Sequence, residues 1–474
     1  MSATDLVSLS AVELGGLFRE GLASPRELME EVLARVDEVN PVINALCAVD
    51  HDRALRAAKR AGSRGAAEDG GLLHGIPVSI KDTEDVEGMR TTFGATKFAE
   101  NLARQDSLVV ARIRAAGGIP FAKSNTPEFA AGINTTNQLF GSTKNPWDLD
   151  ATAGGSSGGA AAGVAAGLGP LAHATDHGCS VRLPASFNGL VGLRPSPGRV
   201  PQLPTSWVFD TFAVTGPLAR TVDDCALLYK VMRGADSRVP VSFDDSATVA
   251  GPPRNSKLRV AWSSDLGIAA VEPEVAQICR EAVMTFERLG WEVEETAPSF
   301  DGIRDIIDPI RAVRQFAVAA ERGPAGARSD NAFVEEYVSR ASQITAADVG
   351  RAEALRNALW FRMSEFFDRF DLLVTPTTQT AAFPIEMMYP TSINGAPMGD
   401  VIDACLLCYA ITMTGLPALS IPAGYTSAGM PVGLQLIGRP RAEDFLFDVG
   451  RAYETASGVE KRIPPLRRSG EMAS

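Results

Sequence analysis

Apolar positions near the start of the chain recur at helical spacing. Leu28, Val32, Leu33, Val36 and Val39 fall three or four residues apart, which places them on one helix face. Ser10-Ala11-Val12-Glu13 and Ser24-Pro25-Arg26-Glu27 are capping boxes, the second with proline at the first helical position. Asn40-Pro41 is expected to stop that helix. The pattern then changes to short apolar runs bounded by Gly and Pro. Strands are predicted over 78–82, 119–122 and 171–175. Helices are predicted over 107–116, from Thr126-Pro127-Glu128 onward, and over 160–167. A β-α-β unit follows at 258–262, 273–289 and 291–295, with Gly290 ending its helix. Residues 300–370 read as helical with a Gly/Pro/Arg break at 322–328, and strands return at 371–376, 418–422 and 433–437. This alternation predicts a single α/β domain over 1–474, one sheet covered by helices on both faces. The stretch 233–370 reads as a variable, largely helical insertion region that opens on a Pro-, Ser- and Asp-rich loop.

Composition narrows the function classes. Of 474 residues, 45% are hydrophobic and 22% charged, the balance of a folded globular protein. The net charge is −12 and the basic residues are scattered, which argues against nucleic acid as a partner. Six cysteines are too few for a disulfide framework. Cys405 and Cys408 lack a second pair at zinc-site spacing and read as buried small side chains, so no metal site is expected. Met1 to Asp5 has neither a basic nor an apolar leader region, and the Gly/Ala-rich run 160–172 is too short for a membrane span. A cytoplasmic monomer or homodimer without cofactor or membrane contact is expected, with a small molecule as its only other partner.

Two glycine-rich, serine-bearing turns carry the candidate chemistry: Gly154-Gly155-Ser156-Ser157-Gly158-Gly159 and Thr175-Asp176-His177-Gly178-Cys179-Ser180-Val181-Arg182-Leu183-Pro184. Glycine lets backbone N–H groups approach a reacting carbonyl, and a serine in such a turn can be both exposed and surrounded by donors. A phosphate-binding loop is the competing reading of the first turn, but no Gly-Lys-Ser/Thr follows it. Ser180 also suits a helix N-cap. Lys81 beside Asp82 would, alone, be read as a surface lysine. The four histidines, His51, His74, His173 and His177, make a Ser-His-Asp triad a poor alternative.

The two turns together resemble the signature of the amidase signature family. Gly75-Ile-Pro-Val-Ser-Ile-Lys81-Asp82, Lys123-Ser-Asn-Thr-Pro-Glu-Phe129, Asn145-Pro-Trp147, Gly216-Pro-Leu-Ala-Arg220, Thr414-Gly-Leu-Pro417 and the run from Gly429 to Gly438 fit in order. The resemblance implies a large mixed β-sheet core and a Ser–cis-Ser–Lys amidohydrolase. In that family the nucleophile lies 24 residues after the first serine of the Gly-Gly-Ser-Ser turn, and Ser180 follows Ser156 by that interval. It implies Ser180 as nucleophile, Ser156 as proton relay after a cis peptide bond, and Lys81 as base. The backbone N–H groups of His177, Gly178, Cys179 and Ser180 are implied as the oxyanion hole, with Ser157, Asp176 and Arg182 supporting the site. The base role requires a neutral amine, so burial among uncharged groups must lower the lysine pKa from ~10.4.

Cys179 stands where the family usually has glycine, and His177 where it has a small or apolar residue. Either Cys179 fills space, or it is a reactive thiol with His177 as its base. The loops 89–93, 133–138, 202–209 and 381–398 are expected to line the substrate pocket, through Phe93, Ile133, Trp207, Phe209, Phe383 and Met387. These side chains favour a neutral, partly apolar amide, anilide or carbamate. The alternatives are a glutamine-hydrolysing subunit of a tRNA-dependent amidotransferase and a catalytically silent binding protein on the same fold.

Overall fold

The computed structural model describes residues 5–63, 71–205, 207–247, 256–321, 331–460 and 462–468. The expected break at 322–328 lies outside them. An eleven-stranded sheet organises the chain. In spatial order its strands are Leu46–Val49, Ile119–Ser124, Pro77–Lys81, Leu171–Asp176, Val214–Ala219, Val191–Arg194, Ala418–Tyr425, Pro431–Ile437, Leu372–Pro376, Arg259–Trp262 and Glu292–Glu295. Ile119–Ser124, Pro77–Lys81 and Leu171–Asp176 run parallel, as do Leu372–Pro376, Arg259–Trp262 and Glu292–Glu295. The strands between these two groups pair antiparallel. The sheet is mixed and helices pack on it, the α/β class read from the sequence. The three strands that lead toward the site are buried along almost their whole length. This matches their continuous apolar runs, which are typical of strands covered on both faces.

Both N-terminal capping boxes form, each serine accepting the N–H of the glutamate three residues on. The second helix does not stop at Asn40-Pro41. It runs over Pro25–Ile43 and closes at Asn44 in a left-handed conformation. The Asn40 side chain instead accepts the Ala45 and Leu46 N–H groups at 2.9 and 2.8 Å, tying the helix end to the first strand. Thr126-Pro127-Glu128 does not open an α-helix. Only a single tight turn over Glu128–Ala130 forms, with Phe129 and Ala130 at φ 53° and 57°. The Phe129 N–H is drawn to the Phe93 carbonyl at 2.7 Å, which turns the chain away from helical geometry. The stretch 233–370 supplies two strands of the main sheet, Arg259–Trp262 and Glu292–Glu295, besides the helices Pro273–Arg288, Ile303–Glu321, Ala332–Ala341 and Ala346–Arg369. Among the described residues, no helix is long and apolar enough to cross a membrane.

Candidate active site

Lys81 ends its strand with its side chain fully buried. Its Nζ lies 2.7 Å from Ser156 Oγ, 2.9 Å from Ser157 Oγ and 2.9 Å from Thr175 Oγ1. Successive strand residues point to opposite sides. Asp82 accordingly turns away and pairs with Lys123 at 2.9 Å, with both side chains buried. The ammonium group of Lys81 therefore meets hydroxyls and no carboxylate. Burial pushes its pKa down to about 7, against weaker opposing attractions from Asp176, Cys179 and Glu84.

The two serine turns come together around this amine. The Gly155–Ser156 peptide bond is cis. Close packing explains the flanking glycines: a Cβ at Gly159 would lie 2.4 Å from the Ala45 carbonyl oxygen and from the Asn125 nitrogen. Ser157 Oγ also donates to the Thr175 carbonyl at 3.2 Å, bridging the first turn to the strand that leads into the second. That strand, Leu171–Asp176, delivers the chain to Ser180, and the helix Arg182–Asn188 begins two residues later.

Asp176 fixes the second turn. Its carboxylate accepts Arg182 Nη2 and Nε at 3.0 Å, Arg194 Nη1 at 3.1 Å and the Val181 N–H at 3.1 Å, and the three side chains are fully buried. Burial alone would raise its pKa. The two guanidinium groups outweigh burial and hold it well below the usual carboxylate range. Arg182 also donates to the Gly178 carbonyl at 2.6 Å, tying that peptide's oxygen to the buried guanidinium. Among the described residues, the backbone N–H groups of His177, Gly178, Cys179 and Ser180 have no acceptor. A side chain at Gly178 would collide with Tyr409, whose ring would lie 2.1 Å from the added Cβ.

Cys179 is buried beside Cys405, and its thiol is held protonated by the hydrogen bond to Cys405 and by burial. Burial and the nearby Arg314 and Arg311 keep His177 neutral. Its ring packs at a tilt on Phe212, centroids 6.1 Å apart. These surroundings suit the space-filling reading of Cys179 better than that of an ionised thiol.

A cavity of about 510 Å³ opens onto Ser156, Thr175, His177, Cys179 and Ser180. Of the side chains expected to line a pocket, Ile133 does so. Phe93, Trp207, Phe209, Phe383 and Met387 are not on its wall. Phe93 packs against Phe98, which packs on Phe129, and of these three rings Phe129 reaches the cavity. Phe209 points largely to solvent, Met387 is partly exposed, and Phe383 packs edge-on against Phe187 in the core. Sequence reasoning gave no role to Thr175, although the residue stands within the motif. The expected loop 202–209 does reach the wall, through Gln202, Pro204 and Thr205, but sequence reasoning missed Tyr409, Val401, Glu84, Arg311 and Arg314 there. No local motif marks these positions, because they converge from separate elements.

Residues 27–447 match the family model Amidase. The chain belongs to the amidase signature family. It is 38% identical over 462 residues to an acylamidase of Rhodococcus erythropolis, covering 96% of each chain. It is also 33% identical over 495 residues to one of the subunits of the glutamyl-tRNA(Gln) amidotransferase of Symbiobacterium thermophilum, covering 98% of this chain and 99% of that one. Among solved structures, a bacterial aryl acylamidase of the amidase signature family superimposes with a TM-score of 0.86 at 28% identity, over 95% of this chain and 96% of that one. A 6-aminohexanoate cyclic dimer hydrolase complexed with substrate also gives 0.86, at 30% identity, over 98% of this chain and all of the other. This family member is a hydrolase of amide C–N bonds.

Proposed function

We propose that the protein is a stand-alone acylamidase that cleaves amides, anilides or carbamates through an acyl-enzyme on Ser180. One observation carries the reading: a fully buried lysine whose amine meets three hydroxyls at 2.7–2.9 Å, the nearest on Ser156. Lys81 in its neutral form takes the Ser156 proton while Ser156 takes that of Ser180. Ser180 Oγ bonds to the carbonyl carbon, and the oxyanion meets the N–H groups of residues 177–180. The proton returns through Ser156 to the leaving nitrogen as the C–N bond breaks. Water then releases the acyl group by the same route. Phe129, Ile133, Val401 and Tyr409 offer the scissile group's neighbour an apolar wall.

The likeness to amidotransferase subunits supports a second reading, in which the same machinery hydrolyses glutamine for a partner protein. The purified chain alone decides between them. Acyl anilides should be hydrolysed without any added protein, and a fluorophosphonate should label Ser180. Ser180→Ala, Ser156→Ala and Lys81→Ala should each lower kcat by at least about 10²-fold. Glutamine hydrolysis that appears only with a partner, with no anilide turnover, would favour the amidotransferase reading. Activity that survives Ser180→Ala but not Cys179→Ala would move the nucleophile to the thiol.

A further inference from the structure

The helix Ile303–Glu321 turns a cationic face toward the cavity. Arg311, Arg314 and Gln315 stand at i, i+3 and i+4, the spacing that aligns side chains on one helix face, and all three line the cavity shared by Ser156 and Ser180. Arg311 is only 4% exposed, and its guanidinium lies 5.3 Å from the centre of the Tyr409 ring. Tyr409 is the ring that packs over Gly178, so Arg311 reaches the neighbourhood of the oxyanion loop. Arg314 is held in place by an ion pair with Asp210, a residue off the cavity wall. Both guanidinium groups act on His177 from this side.

Glu84 is the one carboxylate among the described lining residues. Burial raises its pKa to about 7, so it opposes the two arginines only in part near neutral pH. Two guanidinium groups thus face one partly neutralised carboxylate on the wall, a balance of charge that favours an anion in the cavity. The planar fork of guanidinium donors matches a carboxylate better than any neutral group. The expectation of a neutral substrate rested mostly on aromatic and methionine side chains that do not reach this wall.

We propose that the preferred substrate is an amide bearing an anionic group, a carboxylate foremost, recognised by Arg311 with Arg314. This rests on the acylamidase reading and adds the substrate class to it. Hydrolysis of four anilides by the whole purified chain tests the idea. Pentananilide and succinanilic acid are of similar length and differ by a carboxylate in place of an ethyl group at the end of the acyl chain. Acetanilide and 4-acetamidobenzoate differ by a carboxylate on the leaving group.

In at least one pair, kcat/KM for the carboxylate should exceed that of the neutral partner by about tenfold or more. The favoured pair shows which part of the substrate faces the arginines. Arg311→Gln should lower that preference by about tenfold, and added salt should erode it. Arg311→Lys, which keeps the charge and loses the fork, should retain part of it and serves if the glutamine variant fails to fold. Preference for both neutral substrates, or a loss in Arg311→Gln shared alike by neutral and anionic substrates, would overturn the proposal while leaving the acylamidase reading intact. No turnover of any of the four removes both.

Discussion

Lys81 pays for its position in desolvation, because the groups around its amine are hydroxyls and not carboxylates. The same burial that makes the amine a base near neutral pH makes it a liability for folding. With a folded pKa near 7 and an unfolded pKa of ~10.4, the unfolded chain binds more protons throughout that window. Stability attributable to this residue therefore rises with pH from about 7 to about 10, opposite in sign to a paired lysine. Lys81→Met should lose activity, and its melting temperature should compare most favourably with wild type at about pH 7 and below. Calorimetry of both proteins from pH 7 to 10 should show that advantage shrinking as pH rises; a constant difference would mean the amine is not titrating as described. In the wild type, kcat/KM should climb with pH and level off above about 7, as the amine becomes neutral. The positions of Lys81, Ser156 and Ser180 were legible because motif spacing carried them. Thr175, a further contact of the amine at 2.9 Å, was not, since a threonine at the end of a strand has no signature of its own.

Between residue and molecule stands the turn from the strand Leu171–Asp176 to the helix Arg182–Asn188. It is held by one carboxylate between two buried guanidiniums. Asp176→Asn leaves both arginines without their anion and should cost about 3–5 kcal/mol, read from the shift in urea midpoint. Gly178→Ala tests the other side of the turn. The added methyl would meet the Tyr409 ring, so the turn must move, and activity should fall about 10²-fold or more. In a Tyr409→Leu background the same change should cost less, a coupling that a double-mutant cycle measures directly. The strands flanking this turn differ in how readable they were. Leu171–Asp176 announced itself by an apolar run. Val214–Ala219 did not, because Gly216 and Pro217 interrupt it, yet it sits in the middle of the sheet with Pro217 opposite His173. Proline in a central strand contradicts the usual rule, and only the tertiary pairing reveals it. The turn at Glu128–Ala130 is the converse: helix-start chemistry was present, and the bond from the Phe129 N–H to Phe93 overrode it.

At the scale of the molecule, the sheet divides its labour. Strands from Leu46–Val49 to Val191–Arg194 hold Lys81, Thr175, Asp176 and Arg194, while those from Ala418–Tyr425 to Glu292–Glu295 hold no proposed catalytic group. The second half still braces the first through Arg182, whose Nη1 donates to Gln435 Oε1 at 2.7 Å and to the Cys408 carbonyl at 3.0 Å. The far edge of the sheet should therefore matter for stability more than for chemistry. Trp262, 2% exposed near that edge, provides the test. Its register partners are Val374 and Glu295, neither of them on the cavity wall. Trp262→Ala removes a large buried ring and should cost about 3–5 kcal/mol in denaturant unfolding. Well below the melting temperature, kcat/KM per folded molecule should change by less than about twofold. A parallel fall in kcat/KM would mean that strain crosses the sheet through Gln435 to Arg182. Introducing Gln435→Leu should then reproduce the catalytic loss with Trp262 intact, and the two changes together should lose little more than either alone.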